Sequence, residues 1–182
     1  MRADDSVGVV IRRARPEDAE AYRELRLEAL RAHPEAFGGD ANEESQRPLD
    51  LWRTRLDLVN EQSATFVAVS ATELVGMMVI VQSSGRKIRH SAGLYSVYVR
   101  AAWRRAGVSD LLLQACLDWA AARGVQIVRL SVTASNSSAI RFYQRNGFQV
   151  YGIDPAVLQI DGIFYDELLM FRRITQEASY DD

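Results

Sequence analysis

The sequence predicts one domain of the α/β (α+β) class, in which a sheet is flanked by helices. Two patterns support this class. Segments rich in β-branched residues recur along the chain, and segments with helical apolar spacing separate them. The length of 182 residues and the hydrophobic content of 48% suit a single domain with a substantial core. Because no repeat or linker divides the chain, the domain is expected to span residues 9–173, between flexible tails at 1–8 and 174–182.

The N-terminal third is predicted to contain one strand and two helices. A strand candidate at Val9–Ala14 is followed by a helix that begins at Pro16–Asp18, where proline suits the first turn and the two acids favour its positive end. This helix should end at His33, because a residue that precedes proline resists helical geometry. The polar stretch 37–48 reads as a loop, and a second helix is predicted over 49–59.

The middle of the chain is predicted to be a hairpin, a further strand and a long helix. The hairpin pairs Thr65–Val69 with Leu74–Val81 across a short polar turn, and the next strand covers His90–Val99. Alternation along this strand is typical of a pleated strand; Tyr95, Val97 and Val99 alternate with Ser96 and Tyr98. The helix that follows carries one apolar face; its residues are Leu112, Ala115, Cys116 and Trp119.

The C-terminal third is predicted to be a strand, a capped helix and a hairpin. The strand covers Ile127–Val132, and small polar residues begin a helix over 135–146 that an Asn-Gly pair ends. Asn136 and Tyr143 are two helical turns apart, so they should point the same way. The hairpin covers 157–171, where an Asp-Gly pair is typical of a primed turn.

The loop Arg104–Ser109, between the central strand and the long helix, is a candidate phosphate site. A helix start carries unpaired backbone N–H groups and a partial positive charge. Gly107 permits a positive φ and a close approach of a ligand, and Arg100, Arg104 and Arg105 would add positive charge. The alternative is that the arginines are solvated and the glycine only turns the chain. The loop is neither a P-loop nor a dinucleotide fingerprint, because Gly-Lys-Ser/Thr and G-x-G-x-x-G are absent.

Composition limits the class of protein. The formal net charge of −2 gives no reason to expect nucleic-acid binding, and no apolar run reaches the length of a membrane span. One cysteine excludes an intrachain disulfide, and two distant histidines argue against a metal site. The N-terminus lacks a secretion signal, so a cytoplasmic location is the simplest expectation. Lys87 is the only lysine among the 22 basic residues, a skew typical of GC-rich, bacterial genomes.

Two motifs, taken together, resemble the signatures of one superfamily. The first is Arg104–Ser109, which follows the pattern Arg/Gln-x-x-Gly-x-Gly/Ala after a strand. The second follows one strand later and comprises Asn136, Ala139, Tyr143 and Gly147-Phe148. From about Val9 to Arg173 the chain thereby resembles the GCN5-related N-acetyltransferase (GNAT) superfamily. The resemblance implies a central mixed, mostly antiparallel twisted sheet of about six or seven strands, with splayed central parallel strands.

The resemblance also implies a role for each matching residue, with acetyl-CoA as the cosubstrate and no metal. Backbone groups of Val97 and Val99 would pair with the pantetheine arm, and the Val97 N–H would stabilise the oxyanion. Asn136 would hydrogen-bond the arm, and Tyr143 would stand beside the thioester sulfur as the catalytic acid. Backbone N–H groups of one loop would hold the pyrophosphate; its residues are Arg104, Arg105, Ala106, Gly107, Val108 and Ser109.

Three features depart from the family pattern. Ser109 replaces glycine or alanine; its hydroxyl suits a helix cap, but its Cβ crowds a phosphate. Asp110 stands where a basic residue is common, and its charge would repel a phosphate. The central strand lacks the glutamate that some relatives use as a base. Four other carboxylates remain open as the base; they are Glu35, Glu43, Asp166 and Glu167.

The function expected from this resemblance is acetyl transfer from acetyl-CoA to a primary amine, by direct attack in a ternary complex. The acceptor is a small molecule, such as a metabolite or antibiotic, or a peptide amine at a protein N-terminus or lysine. The alternative is a non-catalytic acyl-CoA-binding or sensing module. Tyr143 favours the enzyme, whereas the missing strand glutamate keeps the alternative open. Neither a nucleic acid nor a membrane is expected as a partner, and a homodimer is left open.

Overall fold

The structure, a computed structural model, describes residues 3–4, 8–57 and 62–174. Its strands are β1 (Ala3–Asp4), β2 (Val9–Arg13), β3 (Ser63–Ser70), β4 (Glu73–Gln82), β5 (Ser91–Val99), β6 (Ile127–Thr133), β7 (Gln149–Ile160) and β8 (Ile163–Arg173). Its α-helices are α1 (Ala19–Ala32), α2 (Ala41–Ser45), α3 (Leu49–Leu56), α4 (Val108–Ala122) and α5 (Ser137–Arg145). Short 3₁₀ turns cover Pro16–Asp18, Pro34–Ala36 and Ala101–Trp103.

The described strands form one mixed sheet in the order β1-β2-β3-β4-β5-β6-β8-β7. Neighbouring strands are antiparallel except β5 and β6, which are parallel and pair only over Ser91–Gly93 with Ile127–Arg129. β1 is a two-residue edge strand, so the predicted six or seven strands correspond to the other seven. Beyond Gly93 the two parallel strands lose their pairing, which confirms the prediction of splayed central strands.

Helices cover both faces of the sheet, and each face has its own core cluster. On one face α4 packs through its predicted apolar side, where Leu112 and Cys116 are fully buried. On the other face α1 and α3 pack through Leu25 and Trp52. The longest helix within the described residues is α4 with 15 residues, and no helix there is long and apolar enough to cross a membrane.

Three elements, α2, α3 and β7, differ from the sequence prediction. The stretch predicted as a loop contains α2, because the Asp40 carboxylate caps it by accepting the N–H groups of Asn42 and Glu43 at 2.8 and 3.0 Å. The next helix ends at Leu56, and its predicted end at Val59 lies outside the described residues. β7 begins well before the predicted 157, because β8 supplies its hydrogen-bonding partner. The predicted tails lie largely outside the described residues, which include 3–4, 8 and 174 of them.

The strand predicted over His90–Val99 is confirmed as β5, but a β-bulge breaks its alternation. Ser96 and Val97 together oppose the single residue Met78 of β4, and Ser96 has a φ of +51°. After the bulge Tyr98 and Val99 are both buried although they are consecutive. A bulge bends its strand and redirects side chains and backbone groups. The bulge lies in the part of β5 that pairs with β4 but not with β6, where a gap separates β5 from β6.

An ion pair between Arg12 and Asp18 ties β2 to the start of the first helix, and a pH-dependent stability follows from it. Asp18 accepts both Arg12 hydrogen bonds at 2.7 Å and the Arg15 N–H at 2.7 Å. The Arg12 hydrogen bonds hold the pKa of Asp18 below its ordinary value. Asp18→Asn should therefore lower the free energy of unfolding by about 1 kcal/mol near neutral pH.

This loss should vanish on acidification. A depressed pKa stabilises the fold above the unfolded-state value, about 3.9 for aspartate, and that stabilisation disappears as the pH falls through the folded-state pKa. Urea unfolding from about pH 7 down to about pH 2 measures both effects, since the series has to extend well below the unfolded-state value. Asp50→Asn is the control, because its i,i+3 pair with Arg53 is exposed. Equal losses for the two variants, or a loss that persists in acid, would contradict the prediction.

Candidate functional site

A cleft with a volume of about 690 Å³ opens where β5 and β6 diverge. Four segments line it. They are the turn after α1 (His33, Glu35, Ala36, Phe37), the part of β5 that does not pair with β6 (Leu94–Val99), the loop into α4 with the first turn of α4 (Arg104, Arg105, Ser109, Asp110), and the end of β6 with α5 (Ser131–Thr133, Ser135–Ala139, Phe142, Tyr143, Arg145). The fold thus brings together segments that are up to about one hundred residues apart in the chain, such as the turn after α1 and the end of β6.

Most of the predicted site residues meet in this cleft. Those that line it are Val97, Val99, Arg104, Arg105, Ser109, Asn136 and Tyr143. Ala106, Gly107 and Val108 belong to the same loop but do not line the cleft. The two motifs, separated along the chain, therefore meet in the folded protein. α4 returns the chain to the edge at which β5 begins, and β6, parallel to β5, then ends near the end of β5.

The loop into α4 presents a run of unpaired backbone N–H groups. The N–H groups of residues 105–109 donate no hydrogen bond of normal length and angle to the described part of the chain. Gly107, with a φ of +79°, is the N-cap of α4, and a Cβ added there would meet no atom within 4 Å. The expectation that Ser109 caps the helix is wrong, because Ser109 lies inside its first turn. Free N–H groups at the positive end of a helix attract an anion.

The arginines near the loop have different partners. Arg104 donates from Nε to the Val99 carbonyl oxygen at 3.0 Å, and its Nη2 lies 2.9 Å from Nε2 of His33. The expectation that Arg100 adds charge to the site is wrong, because Glu28 and Glu73 pair with it at 2.9 and 3.4 Å, outside the cleft lining. Arg105 lines the cleft, with no partner among the described residues, and has a φ of +65°.

The negative charge of Asp110 is balanced by a neighbouring arginine. The repulsion between Asp110 and a phosphate that the sequence predicted is therefore offset. The carboxylate oxygens of Asp110 accept hydrogen bonds from Arg145 at 2.7 Å and from the Asn146 side chain at 3.0 Å. Arg145 lines the cleft and was not identified from the sequence. The signal that could have found it is a basic residue between the tyrosine and the glycine of the second motif.

The α5 wall of the cleft carries Asn136 and Tyr143. Tyr143 is 5% exposed and packs edge-on against Phe142 and Phe148, with ring centroids 5.1 and 5.7 Å away. Burial, with a smaller contribution from Cys116, raises the pKa of this phenol well above its ordinary value, so the hydroxyl keeps its proton. The Asn136 amide oxygen caps α5 by accepting the Ala139 N–H at 3.1 Å, which leaves its amide N–H groups for a ligand.

Of the four carboxylates considered as a base, Glu35 is the one that lines the cleft. Glu43 lies in α2, and Asp166 accepts the Ala156 N–H at 2.9 Å outside the cleft. Glu167 lies on β8 and is also absent from the lining. Within the described ranges, no three His, Cys, Asp or Glu side chains are grouped so that they could hold a metal ion.

The chain is similar to known acetyltransferases. Residues 19–148 match the family described as Acetyltransferase (GNAT) family. The chain is 26% identical over 169 residues to the L-amino acid N-acetyltransferase AaaT of Escherichia coli, covering 90% of this chain and 97% of that protein. It is 34% identical over 76 residues to the L-methionine sulfoximine/L-methionine sulfone acetyltransferase of Pseudomonas aeruginosa, covering 42% of this chain and 44% of that protein.

Coverage differs among the relatives. The match to YwnH of Bacillus subtilis spans 56% of that protein, so the chain spans about half the length of that relative and of the Pseudomonas one. Among solved structures, an acetyltransferase of the GNAT family from Streptococcus pneumoniae has a TM-score of 0.81 at 23% identity, covering 92% of this chain and 99% of that one. This structural similarity confirms the predicted fold.

Proposed function

The chain belongs to the GNAT acetyltransferase family, and we propose that it transfers the acetyl group of acetyl-CoA to a primary amine by direct attack in a ternary complex. One observation carries this proposal. The cleft between the splayed strands combines free backbone N–H groups at a helix start with a buried, protonated phenol. The first feature suits a pyrophosphate, and the second suits a departing thiolate.

The residues present fit acetyl-CoA as the cosubstrate. The N–H groups of residues 105–109 would hold the pyrophosphate, together with the positive end of α4. The β5 edge from Leu94 to Val99 has no strand partner on its β6 side, so its backbone would pair with the amides of the pantetheine arm. The Val99 carbonyl already accepts from Arg104 and keeps one lone pair for the arm. The Asn136 amide would donate to the same arm.

The proposed chemistry uses two groups on opposite walls. On β5, the bulge at Ser96 removes Val97 from the regular ladder, and the Val97 N–H would stabilise negative charge on the thioester oxygen. On α5, Tyr143 would give its proton to the sulfur as the carbon–sulfur bond breaks. A protonated phenol is the form that can act as an acid, which agrees with the raised pKa of Tyr143.

The relatives support a free amino acid or a close analogue as the acceptor. One is named an L-amino acid N-acetyltransferase and another an L-methionine sulfoximine/L-methionine sulfone acetyltransferase. Their bacterial origin also supports the proposal of a bacterial enzyme, for which we propose a cytoplasmic location. We propose that it acts alone or as a homodimer, without a nucleic-acid or membrane partner.

The test is a thioester-cleavage screen with acetyl-CoA and a panel of amines that contains the common L-amino acids and L-methionine sulfone. We expect release of free thiol that depends on at least one of these amines. Calorimetry with acetyl-CoA runs in parallel. Tight binding without cleavage for any amine would overturn the enzyme and favour the alternative of an acyl-CoA-sensing module.

Salt should weaken acetyl-CoA binding through Arg105, the cleft arginine without a partner in the described part of the chain. Arg105→Ala should reduce affinity about threefold at low ionic strength and flatten the loss of affinity with salt, because screening acts on exposed charges. Calorimetry at about 0.02 and 0.5 M salt measures how the affinity for acetyl-CoA changes with salt in wild type and in each variant. Arg86→Ala is the control, since Arg86 is also exposed but lies in the turn before β5. Identical slopes in all three proteins would contradict the prediction.

A further inference from the structure

We propose that Glu35 binds the ammonium group of the acceptor and accepts its proton, and that His33 is the residue that positions Glu35. This inference rests on the proposed function, which it deepens by assigning the base that the sequence left open. Both residues lie in the turn after α1, and both line the cleft. Three features of the structure support this role: the anchoring of the turn, the donor in its hydrogen bond to Arg104, and the pairing of Asp110, the other carboxylate that lines the cleft.

The turn is anchored to β6 although it lies at the surface. The Thr133 hydroxyl donates to the backbone carbonyl oxygen of Glu35 at 2.5 Å, and Thr133 is 2% exposed at the end of β6. A second anchor joins the turn to the loop into α4, where Arg104 Nη2 meets His33 Nε2 at 2.9 Å. The Glu35 backbone is therefore fixed relative to β6, and its neighbour His33 is fixed relative to the loop into α4.

Chemistry identifies the donor in the hydrogen bond between Arg104 and His33. A guanidinium can only donate, so His33 Nε2 accepts from Arg104 and the imidazole carries its proton on Nδ1. That Nδ1 lies 3.8 Å from Oε1 of Glu35. Arg104 thus directs His33, and His33 directs its remaining N–H towards the Glu35 carboxylate. Because Nε2 accepts from Arg104 and the Nδ1–H faces the Glu35 carboxylate from beyond hydrogen-bond distance, His33 orients this carboxylate electrostatically and leaves the proton transfer to it.

Glu35 differs from the other carboxylate of the cleft in its lack of a cationic partner. Asp110 also lines the cleft, but Arg145 and Asn146 occupy both of its oxygens. The second oxygen of Glu35 has no partner among the described residues, and its side chain is 36% exposed. A partly exposed carboxylate with a free oxygen suits an incoming ammonium group, which supplies the missing positive charge.

The acceptor arrives as an ammonium ion, and its first proton passes to Glu35, which leaves a lone pair on nitrogen. That nitrogen forms a bond to the thioester carbonyl carbon, and the carbon–sulfur bond breaks while Tyr143 gives its proton to sulfur. The second proton leaves the nitrogen and restores Tyr143. The products are an amide, a thiol and a protonated Glu35, which releases its proton to water.

The experiment measures Glu35→Gln in the same thioester-cleavage assay, with the amines that wild type acetylates. Glutamine keeps the shape of the side chain and removes its charge and basicity. We expect kcat/KM to fall by about 10²-fold or more, with unchanged calorimetric affinity for acetyl-CoA. Glu43→Gln is the matched control, an exposed glutamate outside the cleft, and should keep wild-type kinetics. Wild-type turnover by Glu35→Gln would overturn the role of Glu35 while leaving the proposed function intact.

A second readout tests the positioning role of His33 without turnover. The chain contains two histidines, so nitrogen NMR with labelled histidine resolves His33 and His90 after one of them is substituted. We expect the Nδ1–H tautomer for His33 in wild type and a loss of this preference in Arg104→Gln. An Nε2–H tautomer in wild type would overturn the orientation. In kinetics, His33→Asn should lower kcat less than Glu35→Gln, and the double variant should be no slower than Glu35→Gln alone.

These outcomes separate the two proposals. If wild type turns over no amine in the panel, the proposed function fails, and the role of Glu35 fails with it. If wild type turns over an amine and Glu35→Gln does so equally well, the role of Glu35 alone fails. A slow Glu35→Gln with intact acetyl-CoA binding, beside a normal Glu43→Gln, supports both.

Discussion

Tyr143→Phe is expected to lower kcat by a factor of about 10²–10⁴, with acetyl-CoA affinity and melting temperature nearly unchanged. The ring packs against Phe142 and Phe148, and phenylalanine preserves these contacts. The phenol makes no hydrogen bond among the described residues, so its removal leaves no partner unsatisfied. What is lost is the proton that burial keeps on the oxygen. The effect should therefore appear in the chemical step and leave binding and folding intact.

Tyr22→Phe is the matched control for this experiment. Tyr22 is also 5% exposed, and burial raises its pKa to about 12, but it lies in the core cluster on the α1 and α3 face. It should keep wild-type kcat. Steady-state kinetics with the best acceptor from the screen, calorimetry and thermal unfolding are measured on all three proteins. Equal rates for Tyr143→Phe and wild type would show that the thiolate departs without this acid.

Gly107→Val is expected to weaken acetyl-CoA binding about 10- to 100-fold. Gly107 has a φ of +79°, which a β-branched residue tolerates poorly, at a cost of about 1–2 kcal/mol. Relief of this strain changes the loop conformation, so the N–H groups of residues 105–109 no longer converge on one anion. Loss of one charge-assisted hydrogen bond, worth about 1.5–3 kcal/mol, accounts for the expected change in affinity. The valine side chain would also enter the open space beside the helix start.

The opposite end of α4 offers a matched control. Gly124 has a φ of +71°, and a Cβ there would also meet no atom within 4 Å, but it follows the C-terminus of the helix. Gly124→Val should lose similar stability and keep wild-type affinity. Calorimetry with acetyl-CoA and urea unfolding on both variants separate binding from strain. If both valine variants bind acetyl-CoA as wild type does, the loop does not hold the pyrophosphate.

The local elements of this fold were largely predictable, because each has a chemical signal within a few neighbouring residues. The hairpin at Asp161-Gly162 forms with φ values of +49° and +81°, as an Asp-Gly pair predicts. The apolar face of α4 is buried as its helical spacing indicates. Gly107 adopts the positive φ that made its loop a candidate site. Two motifs in the right order were sufficient to identify the family.

Interactions between distant segments were beyond the sequence, because no local pattern encodes which charges meet. Arg100 follows the central strand directly, yet Glu28 and Glu73 draw it away from the cleft. Asp110 by itself would repel a phosphate, but Arg145 pairs with it in the folded protein. The bulge at Ser96 interrupts the alternation of β5, because an extra residue in the strand reverses the faces of the residues that follow it.

Among the four carboxylates that the sequence could not rank, the tertiary structure brings Glu35 alone into the cleft. It does so through Thr133 on β6, 98 positions along the chain. The sequence by itself therefore determined the elements, the family and the residues able to bind or donate, since these depend on local propensity and spacing. The tertiary structure decided which charges are neutralised and which carboxylate faces the cleft, because Coulombic and hydrogen-bond energies depend on distances through space.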